Sequence, residues 1–325
     1  MAKYKDIGGT TVGFKSGAEE YTYPSGAEGE LFYNSSNGQF QFVGLGAGSW
    51  ASGGNLNTAR RTPAGAGTQT AGLAFGGIAG SNSNATEEYN GTAWTAGGNL
   101  PAARRQMAGC GTQTAGLGFG GFDSGNSDAT VEYDGSSWTA GGALSTARRA
   151  LAGCGVQTLA LAFGGLGGSN TADTEEYDGS SWTEGGDMNQ ARESLGGCGI
   201  QTSALAFGGD KSPRTGETEQ YNGTSWTEVA DLNTARSGIA GAGIQTLALA
   251  FGGSDATPSY TSLNNTESWN GTSWTELNNL STARNSLGGA GTQTLALAFG
   301  GSIPPDSVAT EEWSFSHPIK TVTTS

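Results

Sequence analysis

Histidine is almost absent from this chain of 325 residues, which contains only His317. One histidine near the C-terminus cannot supply the ligand set of a redox copper centre, and no nucleophile–histidine–carboxylate set can be assembled around it. Cations are scarce too: 15 Lys and Arg stand against 29 Asp and Glu, a net charge of −14. That balance excludes an electrostatically driven grip on nucleic acid or anionic lipid. No run of 18 apolar residues occurs, so no membrane-spanning helix is expected, and "MAKYKDIGGTTVGFKSG" lacks the apolar core of a secretory signal. Helical periodicity with caps is missing throughout. The only cysteines, Cys110, Cys154 and Cys198, each lie 44 residues from the next, and Ala66, Ala242 and Ala290 fill the same place elsewhere. Such spacing fits neither a zinc cluster nor a disulfide and marks a small buried position. Neither metal nor cofactor is expected.

What the chain has in abundance is glycine, 58 residues of it, at fixed places beside large apolar residues. "LALAFGG" at Leu159–Gly165 returns at Leu247–Gly253 and Leu295–Gly301. Arginine follows alanine at Arg60, Arg104, Arg148, Arg192, Arg236 and Arg284, and "QT" follows at Gln69, Gln113, Gln157, Gln201, Gln245 and Gln293. A "TEE"-like triplet then precedes Tyr89, Tyr133, Tyr177, Tyr221, Trp269 and Trp313. These markers define six repeats of 44 residues, the fifth longer by four. Each repeat reads as four short strands. The first is small and glycine-rich, and the second puts Leu159, Leu161 and Phe163 on one face with alanines on the other. The third is "TEEY", and an Asn-Gly or Asp-Gly hairpin leads to a fourth strand carrying Trp94, Trp138, Trp182, Trp226 or Trp274. Four strands per repeat without helices predict a radial array of blades.

Gly-Gly, then Tyr or Trp, then Trp five residues on, then Ala-Arg, closely resembles the kelch repeat over about residues 50–313. The Gly-His and Trp-Asp signatures of WD40 repeats are missing. The resemblance implies an all-β, six-bladed kelch-type β-propeller, here with a small N-terminal β-hairpin or extended segment. The sixth repeat has no fourth strand of its own after Trp313, whereas Trp50 stands directly before "GGNLNTAR". The strand around Trp50 is therefore expected to complete the last blade beside Trp313, dividing the chain into a segment 1–46 and a propeller 47–325. Within 1–46, "GELFYNSSNGQFQFVG" predicts a hairpin of Leu31–Tyr33 and Gln39–Val43 about an Asn37-Gly38 turn.

In such a blade the second-to-third and fourth-to-first connections share one face. The second-to-third loops all differ, from "IAGSNSNA" to "SDATPSYTSLNN", while the turns of the other face barely change. Phe122, Lys211, Arg214 and Tyr260 are the candidate recognition residues of these loops. The six arginines are expected to be structural, pairing with Glu88, Glu132, Glu176 and Glu312 or with loop carbonyls. The second arginines Arg61, Arg105 and Arg149 are expected to be solvated. Some kelch propellers are galactose-oxidase-like copper enzymes, but His317 cannot provide their ligands, and catalysis is not expected. The "GEL-aromatic-YN … NG" phrase and near-identical repeats ending in "TEEW" also resemble appendage and virion proteins of tailed bacteriophages. That resemblance implies a non-catalytic virion protein assembled in the host cytoplasm. Residues 1–46 would attach it to capsid or tail proteins, as decoration or fibre, and the propeller would meet a host-surface glycan or protein. A homo-oligomer stays open, as do two alternatives: a cellular kelch scaffold for a protein partner, and a carbohydrate-active enzyme.

Overall fold

The computed structural model describes residues 31–34, 39–43, 47–255, 261–316 and 319–321. Ser49–Ser314 form one compact unit, built from six four-stranded antiparallel sheets. Blade one runs outward through Ala64–Thr68, Ala71–Phe75, Thr86–Tyr89 and Trp94–Ala96. Blades two to five repeat this order within residues 108–140, 152–184, 196–229 and 240–276. Blade six consists of Gly288–Gly291, Leu295–Phe299, Thr310–Ser316 and, as its outermost strand, Ala47–Ser52. Innermost strands of successive blades lie against one another all the way round, blade six against blade one included. The fold is an all-β, six-bladed propeller, with no helix among the described residues.

The closing strand seats Trp50 at 5.3 Å from the Trp313 ring and 4.9 Å from Phe251 of blade five. Separately, Leu31–Asn34 pairs antiparallel with Gln39–Val43 in the register Leu31↔Phe42, the two arms of the expected hairpin. The Asn37-Gly38 turn between them lies outside the described residues. Ile319–Thr321 adds a third strand alongside Gln39–Val43, a pairing that no turn signal in the sequence announces.

Alternation in the second strand does the packing between blades. Leu117 and Phe119 of blade two share a buried cluster with Ala160, Ala162, Tyr177 and Trp182 of blade three. Burying one such aromatic hides roughly 150–250 Å², about 4–6 kcal/mol gross before chain entropy is subtracted. Leu159 departs from the expected pattern. It begins its strand at the turn and is 52% exposed, while Leu161 and Phe163 are fully buried. Near the axis the blades come too close for side chains: a Cβ on Gly65 would sit 2.5 Å from the carbonyl oxygen of Gly289 in blade six.

Three sets of hydrogen bonds stitch each blade to its predecessor and explain the repeated polar letters. The Gln69 amide donates to the carbonyls of Ala296 and Trp313 in blade six, at 3.0 and 2.6 Å. Gln113, Gln157, Gln201, Gln245 and Gln293 do the same one blade further on. Each fourth-strand tryptophan donates its indole N–H to the first threonine of the preceding blade's third strand, at 2.8–3.1 Å. Trp50 completes this ring by donating to Thr266 at 2.9 Å.

In the third set, the tyrosine hydroxyl at the end of the third strand donates to a glutamate of the preceding blade. The pairs are Tyr89–Glu312, Tyr133–Glu88, Tyr177–Glu132 and Tyr221–Glu176. The hydroxyls of Tyr89 and Tyr133 also accept the N–H of Gly54 and Gly98. A Cβ on Gly53 or Gly97 would lie 2.7 Å from these same oxygens, so a tyrosine here requires a glycine opposite. Blades five and six carry Trp269 and Trp313 instead, which have no hydroxyl. Their partner positions change in step, to Gln220 and Ser268 for the glutamate and to Val229 and Leu277 for the glycine. Val229 packs on the cluster containing Trp269. Acceptor, donor and space vary together.

Candidate recognition face

The six repeat arginines precede the innermost strands and are 0–2% exposed. Five reach a buried glutamate: Arg60–Glu87 at 2.6 Å, Arg148–Glu175 at 3.1 Å, Arg192–Glu219 at 2.8 Å, Arg284–Glu311 at 3.0 Å, and Arg236–Glu267. The role expected of the arginines is structural, and this is where they sit, but the glutamates named from the sequence are corrected. Strand alternation turns the two carboxylates of each triplet to opposite faces. The first meets the arginine of its own blade, and Glu88, Glu132, Glu176 and Glu312 face the neighbouring tyrosines. Burial pulls the Arg148 guanidinium below its usual value, and the charge of Glu175 opposes that pull. The second carboxylate oxygen accepts a backbone N–H, as from Asn57 to Glu87 at 2.7 Å and from Ser145 to Glu175 at 2.6 Å. Blade two is the exception. Val131 replaces the glutamate, and Pro101, which has no N–H, replaces the backbone donor. Arg104 there donates to the carbonyls of Gly120 and Ala129 at 3.1 and 2.8 Å.

On this face the axis is ringed by Thr62, Gln106, Ala150, Ser194, Gly238 and Ser286. All six have φ between 52° and 64°, a left-handed conformation that costs the five non-glycine residues energy. Five backbone hydrogen bonds in succession hold them there. Thr62 N–H donates to Ser286, Ser286 to Gly238, Gly238 to Ser194, Ser194 to Ala150 and Ala150 to Gln106, at 2.7–2.9 Å. These residues rim a depression of about 100 Å³ with an apolar floor that includes Met107, Leu151 and Leu195. Pockets that enclose a small organic ligand measure roughly 300–1,000 Å³, so a ligand on this face lies across it.

Outside the ring the variable loops are tied down. Asn82 of blade one donates to the carbonyls of Phe122 and Asp123, Asn126 to Gly167, and Asn170 to Asp210, at 2.6–3.2 Å. Phe122 is half-buried beneath two guanidiniums, Arg105 at 4.5 Å and Arg149 at 5.3 Å from the ring centre. Lys211 pairs with Glu217. Arg214 donates to the carbonyl of Asp255 and lies 3.5 Å from Asp210. Tyr260 lies outside the described residues. Arg61, Arg105 and Arg149 are not the solvated side chains expected. Arg61 forms a two-pronged pair with Asp306 at 2.9 and 3.0 Å, Arg105 reaches Asn82 at 3.3 Å and Arg149 reaches Asn126 at 2.6 Å. The signal for this second set was present as the doubled arginine in three successive repeats.

The opposite face is uniform and uncharged around the axis: the turns there read TQTA, VQTL or a close variant. It exposes Val156, Leu159, Ile200, Ile244 and Leu295, each 46–52% accessible. No group of three or more His, Cys, Asp and Glu side chains suited to a metal occurs among the described residues. No protein-family model matches the chain, and no curated protein matches it significantly.

Proposed function

We propose that this chain is a non-catalytic virion protein of a tailed bacteriophage, displaying a kelch-type propeller on capsid or tail. The observation that carries the reading is the division of labour between the two faces. One scaffold is written six times, with the glutamine and indole bonds between blades kept in every copy, and the loops of a single face are rewritten in all six. A display and recognition role calls for that arrangement, whereas catalysis calls for one specialised site. The uniform face suits attachment: its five half-exposed aliphatics favour burial against protein. Residues 1–46 attach to other virion proteins, and the loops face outward to the host surface.

Mass spectrometry of purified particles with copy counting tests this. Recovery at a fixed copy number per particle is expected, with capsid, portal or tail genes beside the coding sequence. Absence from particles, or a setting among cellular signalling genes, would favour a cellular scaffold instead.

A further inference from the structure

The residue after each buried arginine occupies an equivalent place in all six blades: Arg61, Arg105, Arg149, Glu193, Ser237 and Asn285. Its structural duty is to hold the loop of the preceding blade, and a neutral side chain suffices. Asn285 does it by donating to the Ser262 hydroxyl at 2.8 Å. The positive charges of blades one to three are therefore additional to what the scaffold requires. Asp306 neutralises Arg61. Arg105 and Arg149 make no ion pair within 4 Å among the described residues, although Arg149 lies near enough to Glu193 for the two charges to attract. The contacts of the two arginines are single amide oxygens, Asn82 and Asn126, and the Phe122 ring between them. Each guanidinium has five N–H donors in a planar fork, so most of these donors are uncommitted.

We propose that Arg105 and Arg149, spaced by Phe122, form an oxyanion-binding subsite on the loop face for the carboxylate or sulfate groups of an acidic polysaccharide. The guanidinium fork matches such planar or tetrahedral oxyanions with two parallel bonds. Gln106 on the axial rim offers a neutral polar partner for sugar hydroxyls, while Asn82 and Asn126 are spent on holding the two arginines and the neighbouring loops. The shallow depression favours an extended polymer lying across the face over an enclosed small molecule. The blades beyond offer no such cation pair: Glu193 stands at the equivalent place in blade four, where Lys211 and Arg214 are paired with Glu217 and Asp210, and this confines an anionic chain to blades one to three. This inference rests on the reading of the loop face as a recognition surface.

The test is an array carrying uronate-containing, sialylated, sulfated and matched neutral glycans, probed with the full chain and with Arg105→Gln, Arg149→Gln and Arg149→Lys. Melting temperatures are recorded for every variant. The unaltered chain should retain acidic glycans and release them as salt rises, and each glutamine variant should bind about tenfold to a hundredfold more weakly. The lysine variant keeps the charge and loses the fork, so intermediate binding is expected; it carries the test should a glutamine variant unfold. The uronate and sulfate arms identify which oxyanion is taken. Preference for neutral glycans, or acidic binding unchanged in both glutamine variants, would overturn the subsite and leave the face as a recognition surface. Silence across the array would overturn the polysaccharide proposal, while particle composition judges the display reading independently.

Discussion

Replacing Glu175 with valine would copy into blade three what blade two already has at Val131. The single substitution takes from Arg148, fully buried, its buried carboxylate and leaves only the more exposed Asp173 at 3.9 Å, and the N–H of Ser145 loses the oxygen it now reaches at 2.6 Å. Breaking a buried ion pair by removing one partner costs about 3–5 kcal/mol. Ser145 is exposed, so water can take over its N–H, and this donor accounts for about 1 kcal/mol or less of such a loss. Blade two removes that donor as well, by placing Pro101 where Ser145 stands. Adding Ser145→Pro to Glu175→Val should therefore return up to about 1 kcal/mol, although Ser145→Pro alone should destabilise by stripping Glu175 of a donor. The sign of the proline effect thus reverses with the residue opposite. A double-mutant cycle by guanidinium unfolding, with midpoints compared at constant slope, measures this coupling. If Ser145→Pro destabilises equally in both backgrounds, the paired change in blade two is coincidence and the reasoning fails.

Alkaline pH gives a second expectation. Burial, reinforced by the glutamate bond, pushes Tyr89, Tyr133, Tyr177 and Tyr221 up to about 12. Below the unfolded value of about 10 both states are protonated and this stabilisation is complete. As pH rises from 10 towards 12 the unfolded chain loses its protons first, and stability falls. Tyrosinate absorbance should therefore appear together with unfolding; ionisation of these tyrosines in a folded protein at pH 10 would contradict it. Burial likewise pushes the Cys110 and Cys198 thiols up to about 12, so alkylating reagents should label them only after denaturation. Rapid labelling of the native protein at pH 8 would refute their burial. Deleting residues 1–52 removes the last strand of blade six with Trp50, and should lower the melting temperature sharply; an unchanged melting curve would defeat ring closure.

The architecture was legible because it is written six times: period, strand count and the vacancy filled by Trp50 all follow from register alone. Pairing partners were harder to read. Glu87 and Glu88 are adjacent letters, and only the alternation of the strand, once its faces are known, decides which meets Arg60 and which meets Tyr133. The exchange of Tyr for Trp at Trp269 and Trp313 carries no meaning in one dimension; only the structure pairs it with the changes at Gln220, Ser268, Val229 and Leu277. Loop composition suggests exposure for Phe122, Lys211 and Arg214, yet Lys211 is anchored within its own loop by Glu217 and Arg214 reaches Asp255 of the next blade, 41 residues away. The pairing of Ile319–Thr321 with Gln39–Val43 joins the two ends of the chain, which local pattern cannot reveal.

Ring closure by the N-terminal strand is the claim on which the rest depends, and an engineered cross-link tests it most directly. Ser49 and Ser314 are exposed and flank the stacked Trp50 and Trp313, on strands that are neighbours in the sheet. Directly opposed residues of antiparallel strands are about 4.5–5.5 Å apart at Cα, within disulfide reach. In the variant carrying Ser49→Cys and Ser314→Cys, oxidation should yield a monomer whose proteolytic peptides around positions 49 and 314 are joined, as read by mass spectrometry without reduction. Two free thiols at these positions in the folded, oxidised protein, or links only between separate molecules, would contradict the account.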